Sequence, residues 1–156
     1  MEQKLGFKLV KPTEGFLLPG TFLKKFEYTD DNERQYVCQI AKLARSRQTR
    51  IHLLASDDNT PHGFVALSAS LLMDQPCIVI DYLFTSKQHR GVVFQELGMK
   101  ISEHLLAFAI RTATEINDTV TIRYVALVPG NDSLAAFYGP WGFRRLDKTD
   151  WMFLRI

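Results

Sequence analysis

The chain has 156 residues, enough for one sizeable core and too few for two full domains. Apolar residues make up 46%, charged residues 23% and aromatics 12%, which excludes a disordered or fibrous chain. Nineteen Lys and Arg against seventeen Asp and Glu leave a charge of +2, too small an excess to predict a nucleic-acid partner by itself.

The first residues lack the apolar stretch of a secretion signal, and no apolar run approaches the ~20 residues a membrane helix needs. A cytoplasmic chain without a membrane partner is expected. Residues 5–10 predict a first strand, closed by Lys11-Pro12. Residues 16–26 are a short apolar stretch with a helical reading, interrupted by Pro19-Gly20. Thr29-Asp30-Asp31-Asn32 can cap a helix that buries Tyr36, Val37, Ile40, Ala41 and Ala44 and ends near Ser46. Three strands follow, at 51–55, 63–73 and 77–85, with turns at Asp57-Asp58-Asn59 and Asp74-Gln75-Pro76. The third is nearly all apolar, which suits a central strand covered on both faces, and one carboxylate interrupts it, Asp81.

Phe94, Leu97, Ile101, Leu105 and Phe108 recur at spacings of three and four and predict a long helix that ends at Asn117-Asp118. Residues 121–128 read as a strand stopped by Pro129-Gly130. Asn131 or Asp132 can cap a short helix through Tyr138, which Gly139-Pro140 must end. Residues 143–146 and 151–156 predict a terminal strand pair. The strand–helix–strand unit over 77–128 demands a right-handed crossover and a parallel pair. The class is therefore α/β or α+β with a mixed sheet, in one domain over residues 1–156.

Several chemistries are excluded by motif. The sequence holds no G-x-x-x-x-G-K-S/T nucleotide loop, no H-E-x-x-H and no G-x-S-x-G. His52, His62, His89 and His104 show no ligand spacing and read as solvated residues, so no metal is expected. Cys38 and Cys77 read as separate buried thiols.

Two segments carry a positive signal. The first is Leu83-Phe84-Thr85-Ser86-Lys87-Gln88-His89-Arg90-Gly91, between the buried strand and the long helix. Free N–H groups at such a junction, with basic neighbours, suit a pyrophosphate. The second runs from Asn131 through Phe137-Tyr138 to Gly142-Phe143. Asn, six residues, an aromatic ending in Tyr, three residues and Gly-Phe resemble the close of the GNAT family of acyl-coenzyme A N-acyltransferases. With the matching element order, the resemblance spans essentially the whole chain.

That resemblance implies a GNAT-like mixed sheet, splayed at its centre and flanked by helices. It implies acetyl-CoA as acyl donor, with direct attack by an amine in a ternary complex and no covalent enzyme intermediate. Tyr138 matches the family's general acid near the coenzyme sulfur, and Asp81 is placed to accept or orient the amine. Leu83, Phe84 and Thr85 match the strand amides that hold the pantetheine, and Asn131 the conserved-spacing Asn of the closing motif. Arg90, Gly91, Val92, Val93, Phe94 and Gln95 align with the pyrophosphate loop, although Val93 and Gln95 stand where small residues are usual, and a side chain there blocks close approach to phosphate. A small-molecule or peptide amine is the expected acceptor, with nucleic acid not expected and a homodimer open. The rival readings are an RNA-directed acetylating toxin, suggested by Lys24, Lys25, Lys42, Arg45, Arg47 and Arg50, and a GNAT-like module too degenerate at its loop for turnover.

Overall fold

The computed structural model describes residues 5–9 and 22–156. Val10 and most of the predicted 16–26 element lie outside the described residues. The end of that stretch, Leu23–Lys25, is a 3-10 turn that plants Phe22 and Phe26 in the core.

Helix α1 spans Asp31–Arg45. It starts where expected because the Asp30 carboxylate accepts the Glu33 N–H, and Asp31 and Glu33 put negative charge on the first turn. It ends in a paired cap: the Arg47 N–H donates to Ala44 and the Gln48 N–H to Leu43, with Arg47 left-handed at φ 62°. A longer helix, α2, spans Ile101–Asn117, and a short one, α3, spans Asp132–Tyr138 with the Asn131 side chain capping it. A 3-10 turn at Gly139–Trp141 continues directly from α3, so Pro140 converts the helix rather than ending it at once.

The main sheet has seven strands in the order β1-β2-β3-β4-β7-β9-β8, where β1 is Leu5–Leu9, β2 Arg50–Ser56, β3 Pro61–Leu72, β4 Gln75–Thr85, β7 Tyr124–Leu127, β8 Arg144–Arg145 and β9 Met152–Arg155. Every pairing is antiparallel except β4 with β7, and α2 is the crossover between those two. The β3–β4 turn falls at Met73-Asp74, both at positive φ, one residue earlier than the sequence suggested. Among the described residues, α2 packs on one face of the sheet and α1 on the other. Leu105, Leu106, Ala109 and Ala113 of α2 pack on Val65, Leu67, Ile78 and Ile80. Val37, Ile40 and Ala44 of α1, with Phe22 and Phe26, pack on Leu53, Phe64, Ala66 and Phe84.

Two irregularities shape the centre. β4 and β7 pair only over Cys77–Val79 and Tyr124–Ala126, then separate. In the β3–β4 ladder Ala66 faces Tyr82 and Leu67 faces Ile80, so Asp81 is an extra residue without an opposite number. The bulge reverses the facing of β4. Ile78 and Ile80 lie in the α2-side core, whereas Tyr82 and Phe84 lie on the α1 side and Leu83 on the α2 side. Gly63 allows β4 to pass closely, since a Cβ there would lie 2.5 Å from the Phe84 carbonyl oxygen.

The long helix differs from its prediction. It begins at Ile101, not near Phe94. Residues 93–100 instead form a small hairpin of β5 (Val93–Phe94) and β6 (Met99–Lys100). Its turn is closed by Leu97 and Gly98 N–H groups donating to the Phe94 carbonyl, with Gly98 at φ +67°. Phe94 packs on the α2-side core from the hairpin, which is why its spacing imitates a helical stripe.

Candidate functional site

The separation of β4 from β7 opens a cleft of about 590 Å3. One wall is β4 from Ile80 to Thr85, the other the end of β7 through Leu127, Val128, Pro129 and Gly130. The edge of β4 that faces β7 has no strand partner beyond Val79 among the described residues. It is a row of backbone donors and acceptors to which an extended, amide-bearing chain can add as a strand would. The Thr85 hydroxyl at this wall is buried and has no partner among the described residues. A pantetheine arm, with two amides and a narrow profile, fits that edge. One end of the cleft is floored by Lys100, Ile101 and Ser102, the first turn of α2, whose leading N–H groups have no intrahelical acceptor. Phosphate groups fit there on charge and on donors.

The expected site residues divide. Leu83, Phe84, Thr85, Arg90, Gly91, Asp81 and Tyr138 all line the cleft. Val92, Val93, Phe94, Gln95 and Asn131 do not. Val92 and Val93 project on the hairpin and are exposed, and the Asn131 side chain is used as the α3 cap. The helix N-terminus expected near Phe94 is supplied seven residues later, at Ile101, because the hairpin intervenes. The one sequence signal for that start was Glu103, whose carboxylate accepts the Lys100 N–H at 3.2 Å in the manner of a capping residue at the third helical position.

Tyr138 is 7% exposed and packs edge-on to Phe143 at 5.6 Å. No described residue takes its hydroxyl in a hydrogen bond, and burial pushes its pKa up to about 12. It is thus a phenol that keeps its proton while facing the cleft, the state required of an acid toward a thiolate leaving group. Asp81 sits at the bulge with both carboxylate oxygens engaged. The Thr49 hydroxyl donates to one at 2.6 Å and the Ser68 hydroxyl to the other at 3.0 Å. Arg123, beside β7, lines a separate small groove with Arg155.

Arg90 departs from its expected role. Its Nε donates to the Thr85 carbonyl at 2.8 Å, one terminal nitrogen donates to the Thr29 hydroxyl at 2.6 Å, and the other meets Glu33 at 2.6 Å. The guanidinium lies 5.4 Å over the Phe84 ring. It pins the loop after β4 to the start of α1 and is not a free phosphate ligand. Lys87 is exposed, and its N–H donates to the Glu27 carbonyl.

The histidines also differ from expectation. His62 is buried, with neither ring nitrogen bonded to a described residue. Its ring lies 4.3 Å from that of His89, which lines the cleft. Tyr36, on α1, and Tyr82, on β4, also line the cleft, as does Glu33. Sequence reasoning assigned Tyr36 to the core, but it is 49% exposed. No group of three or more metal-ligating side chains occurs among the described residues. No helix among them is long and apolar enough to cross a membrane.

No protein-family model matches the sequence, nor does any curated protein. Solved structures do. A single-residue variant of the toxin AtaT, bound to the C-terminus of the antitoxin AtaR and acetyl-CoA, superposes with a TM-score of 0.75 at 16% identity over 97% of this chain and 93% of that one. AtaT complexed with acetyl-methionyl-tRNAfMet gives 0.73 at 14% identity over 97% and 95%. The KacTA–DNA complex gives 0.74 at 21% identity over 97% and 93%. These neighbours carry the GNAT fold, and this chain shares it. They also correct the expected partners. The small-molecule or peptide acceptor, with nucleic acid not expected, does not agree with neighbours solved on a charged tRNA, on DNA and with an antitoxin chain.

Proposed function

We propose that the chain is an acetyl-CoA-dependent N-acetyltransferase whose acceptor amine is carried on a tRNA, with an antitoxin-type protein as its partner. The observation that carries the reading is the cleft between β4 and β7 with the protonated Tyr138 phenol on its wall. The fold neighbours solved with acetyl-CoA and with an acetylated aminoacyl-tRNA support the two substrates.

Acetyl-CoA, when bound, supplies the activated acetyl group. The residues of this chain do the rest. The unpaired edge of β4 and the Thr85 hydroxyl hold an extended amide chain in line with the opening. The first turn of α2, with Lys100, meets negative charge. Tyr138 offers a proton where a thiolate leaves, and Asp81 orients or accepts from an ammonium group that enters from the Tyr36 end. Both carboxylate oxygens of Asp81 keep lone pairs beyond those taken by Thr49 and Ser68.

The test is transfer of label. Purified protein is incubated with [acetyl-14C]coenzyme A and a pool of aminoacylated tRNA, the RNA is digested, and the aminoacyl-nucleosides are separated. Label on the amino group of one or a few aminoacyl-nucleosides is expected. Coenzyme binding by calorimetry without any transfer would leave a GNAT-fold module that binds its ligand and does not turn it over.

A further inference from the structure

Helix α1 ends the cleft with an open aromatic face. Phe64, Tyr82 and Tyr36 form a ladder from core to surface. Phe64 is fully buried and stacks on Tyr82 at 5.9 Å and 27°. Tyr82 lies 4.7 Å from Tyr36, and Tyr36 is 49% exposed. Tyr82 is held from behind by Phe84 at 6.1 Å, so the ladder cannot close on itself. Neither phenol is tied to a described residue by a hydrogen bond, so the outer ring is fixed by stacking and offers a free face. Its acidic neighbours are already engaged, Glu33 by Arg90 and Asp81 by two hydroxyls.

The same helix carries positive charge away from that ring. Lys42, Arg45, Arg47 and Arg50 are all exposed, and none makes an ion pair with a described residue. Six residues of helix, from Tyr36 to Lys42, put the first cation of the group about 9 Å along the helix axis from the ring. Cations at a helix C-terminus answer the macrodipole, which accounts for Lys42 and Arg45. It does not account for Arg50, on the next strand, or for Arg47. Arg47 occupies the left-handed position at φ 62° where glycine is the usual residue.

We infer that Tyr36, backed by Tyr82, is the stacking platform for the unpaired terminal base of the acceptor RNA, with its phosphates running along Lys42, Arg45, Arg47 and Arg50. This rests on the tRNA reading above and specifies how that site recognises its acceptor. An aromatic ring with a free face stacks any base, and a row of cations tracks the backbone without sequence preference. Placing the terminal base at the mouth beside Asp81 would leave an ester-linked amino group within reach of the cleft.

Binding of a deacylated tRNA transcript tests it, measured by filter retention at low salt, with the RNA either intact or shortened by leaving out all its unpaired 3′ nucleotides. Tyr36→Ala is expected to weaken intact RNA about tenfold, the effect of losing one base stack, while Tyr36→Phe stays within about twofold of wild type. Shortened RNA is expected to bind wild type as weakly as intact RNA binds Tyr36→Ala, and to bind Tyr36→Ala no more weakly still. Melting curves of the two variants report that the fold is kept. Equal binding by wild type and Tyr36→Ala, or equal weakening of intact and shortened RNA, overturns the platform and leaves the tRNA reading standing. A change in sedimentation mass with unchanged RNA binding assigns the ring to a second copy of the chain and likewise overturns it. Wild-type protein that retains no RNA removes both.

Discussion

His62 should make the protein acid-sensitive, and by an amount that can be worked out. It lies at the start of β3, 2% exposed, with its ring 4.3 Å from His89 and 5.5 Å from Phe94. Burial pulls its pKa down to about 4, the neighbouring His89 adds to this, and Asp58 weakly opposes it. In the unfolded chain an imidazole titrates near ~6.5. As pH falls, the unfolded state therefore takes the proton first. The stability due to neutral His62 is intact above about pH 6.5 and is lost progressively as pH falls toward about 4. Between pH 7.5 and 4.5 the loss comes to roughly 2–3 kcal/mol. Burial also lowers His52, His89 and His104, so they lose stability in the same direction, and the His62 share must be isolated by difference. His62→Phe keeps a flat ring against Phe94 and removes two unbonded nitrogens. Urea unfolding of both proteins at half-unit steps across that range is the assay. Wild type should lose stability faster than the variant, by that amount over the range, and the variant should be at least as stable at pH 7.5. Parallel curves would show that His62 is solvated or bonded in the native state, and the reasoning would fail.

Tyr138→Phe is expected to lower kcat by about 10²-fold or more with coenzyme affinity unchanged, since only a transition-state proton is lost; single-turnover kinetics beside calorimetry separate the two. Gly63→Ala places a methyl against the Phe84 carbonyl and is expected to cost about 1–3 kcal/mol, seen in thermal melts, with weaker coenzyme binding because β4 must shift at Phe84 and Thr85. Arg90→Lys is expected to loosen the loop nearly as much as Arg90→Ala, because an ammonium cannot reproduce the three contacts of the guanidinium. Coenzyme affinity that falls only in the alanine variant would show charge, not anchoring, to be the role of Arg90.

The sequence was most informative where local chemistry and tertiary packing agree. Asp30, within the polar stretch read as a cap, caps α1; Asn131, one of the two residues read as a cap, caps α3; and the apolar run of β4 is buried on both faces. The splay of β4 from β7 was expected from the resemblance and is present. The start of the long helix was misplaced because Phe94 and Leu97 fall at helical spacing without being helical. A two-residue hairpin strand is too short to show an alternation, so nothing in the pattern marked β5 and β6. The histidine cluster was invisible for a different reason. His62 and His89 are 27 positions apart and meet only because the Ser86 N–H donates to the His62 carbonyl, closing the end of β4 onto β3. The partner was misjudged because net charge averages the surface: +2 overall conceals four exposed cations around the end of α1 that make no ion pair with a described residue.

The bulge at Asp81 connects these features. In an unbroken antiparallel ladder the facing of β4 would continue, and Tyr82 and Phe84 would point toward α2, leaving the α1 side without its aromatic floor. One extra residue turns them to α1, where they meet Phe64, Phe26 and Tyr36. A bulge also increases local twist, which suits the parting of β4 from β7 two residues after their last paired position. The extra residue has no opposite backbone, so its side chain must find local partners, and an aspartate finds two hydroxyls. If Asp81 is removed, the Thr49 hydroxyl retains the Leu67 carbonyl at 3.2 Å, and Ser68 is half-buried and able to reach water. The carboxylate is therefore weakly coupled to the stability of the bulge. That is the arrangement expected where backbone irregularity builds the cleft and the side chain at its apex is left to serve the chemistry within it.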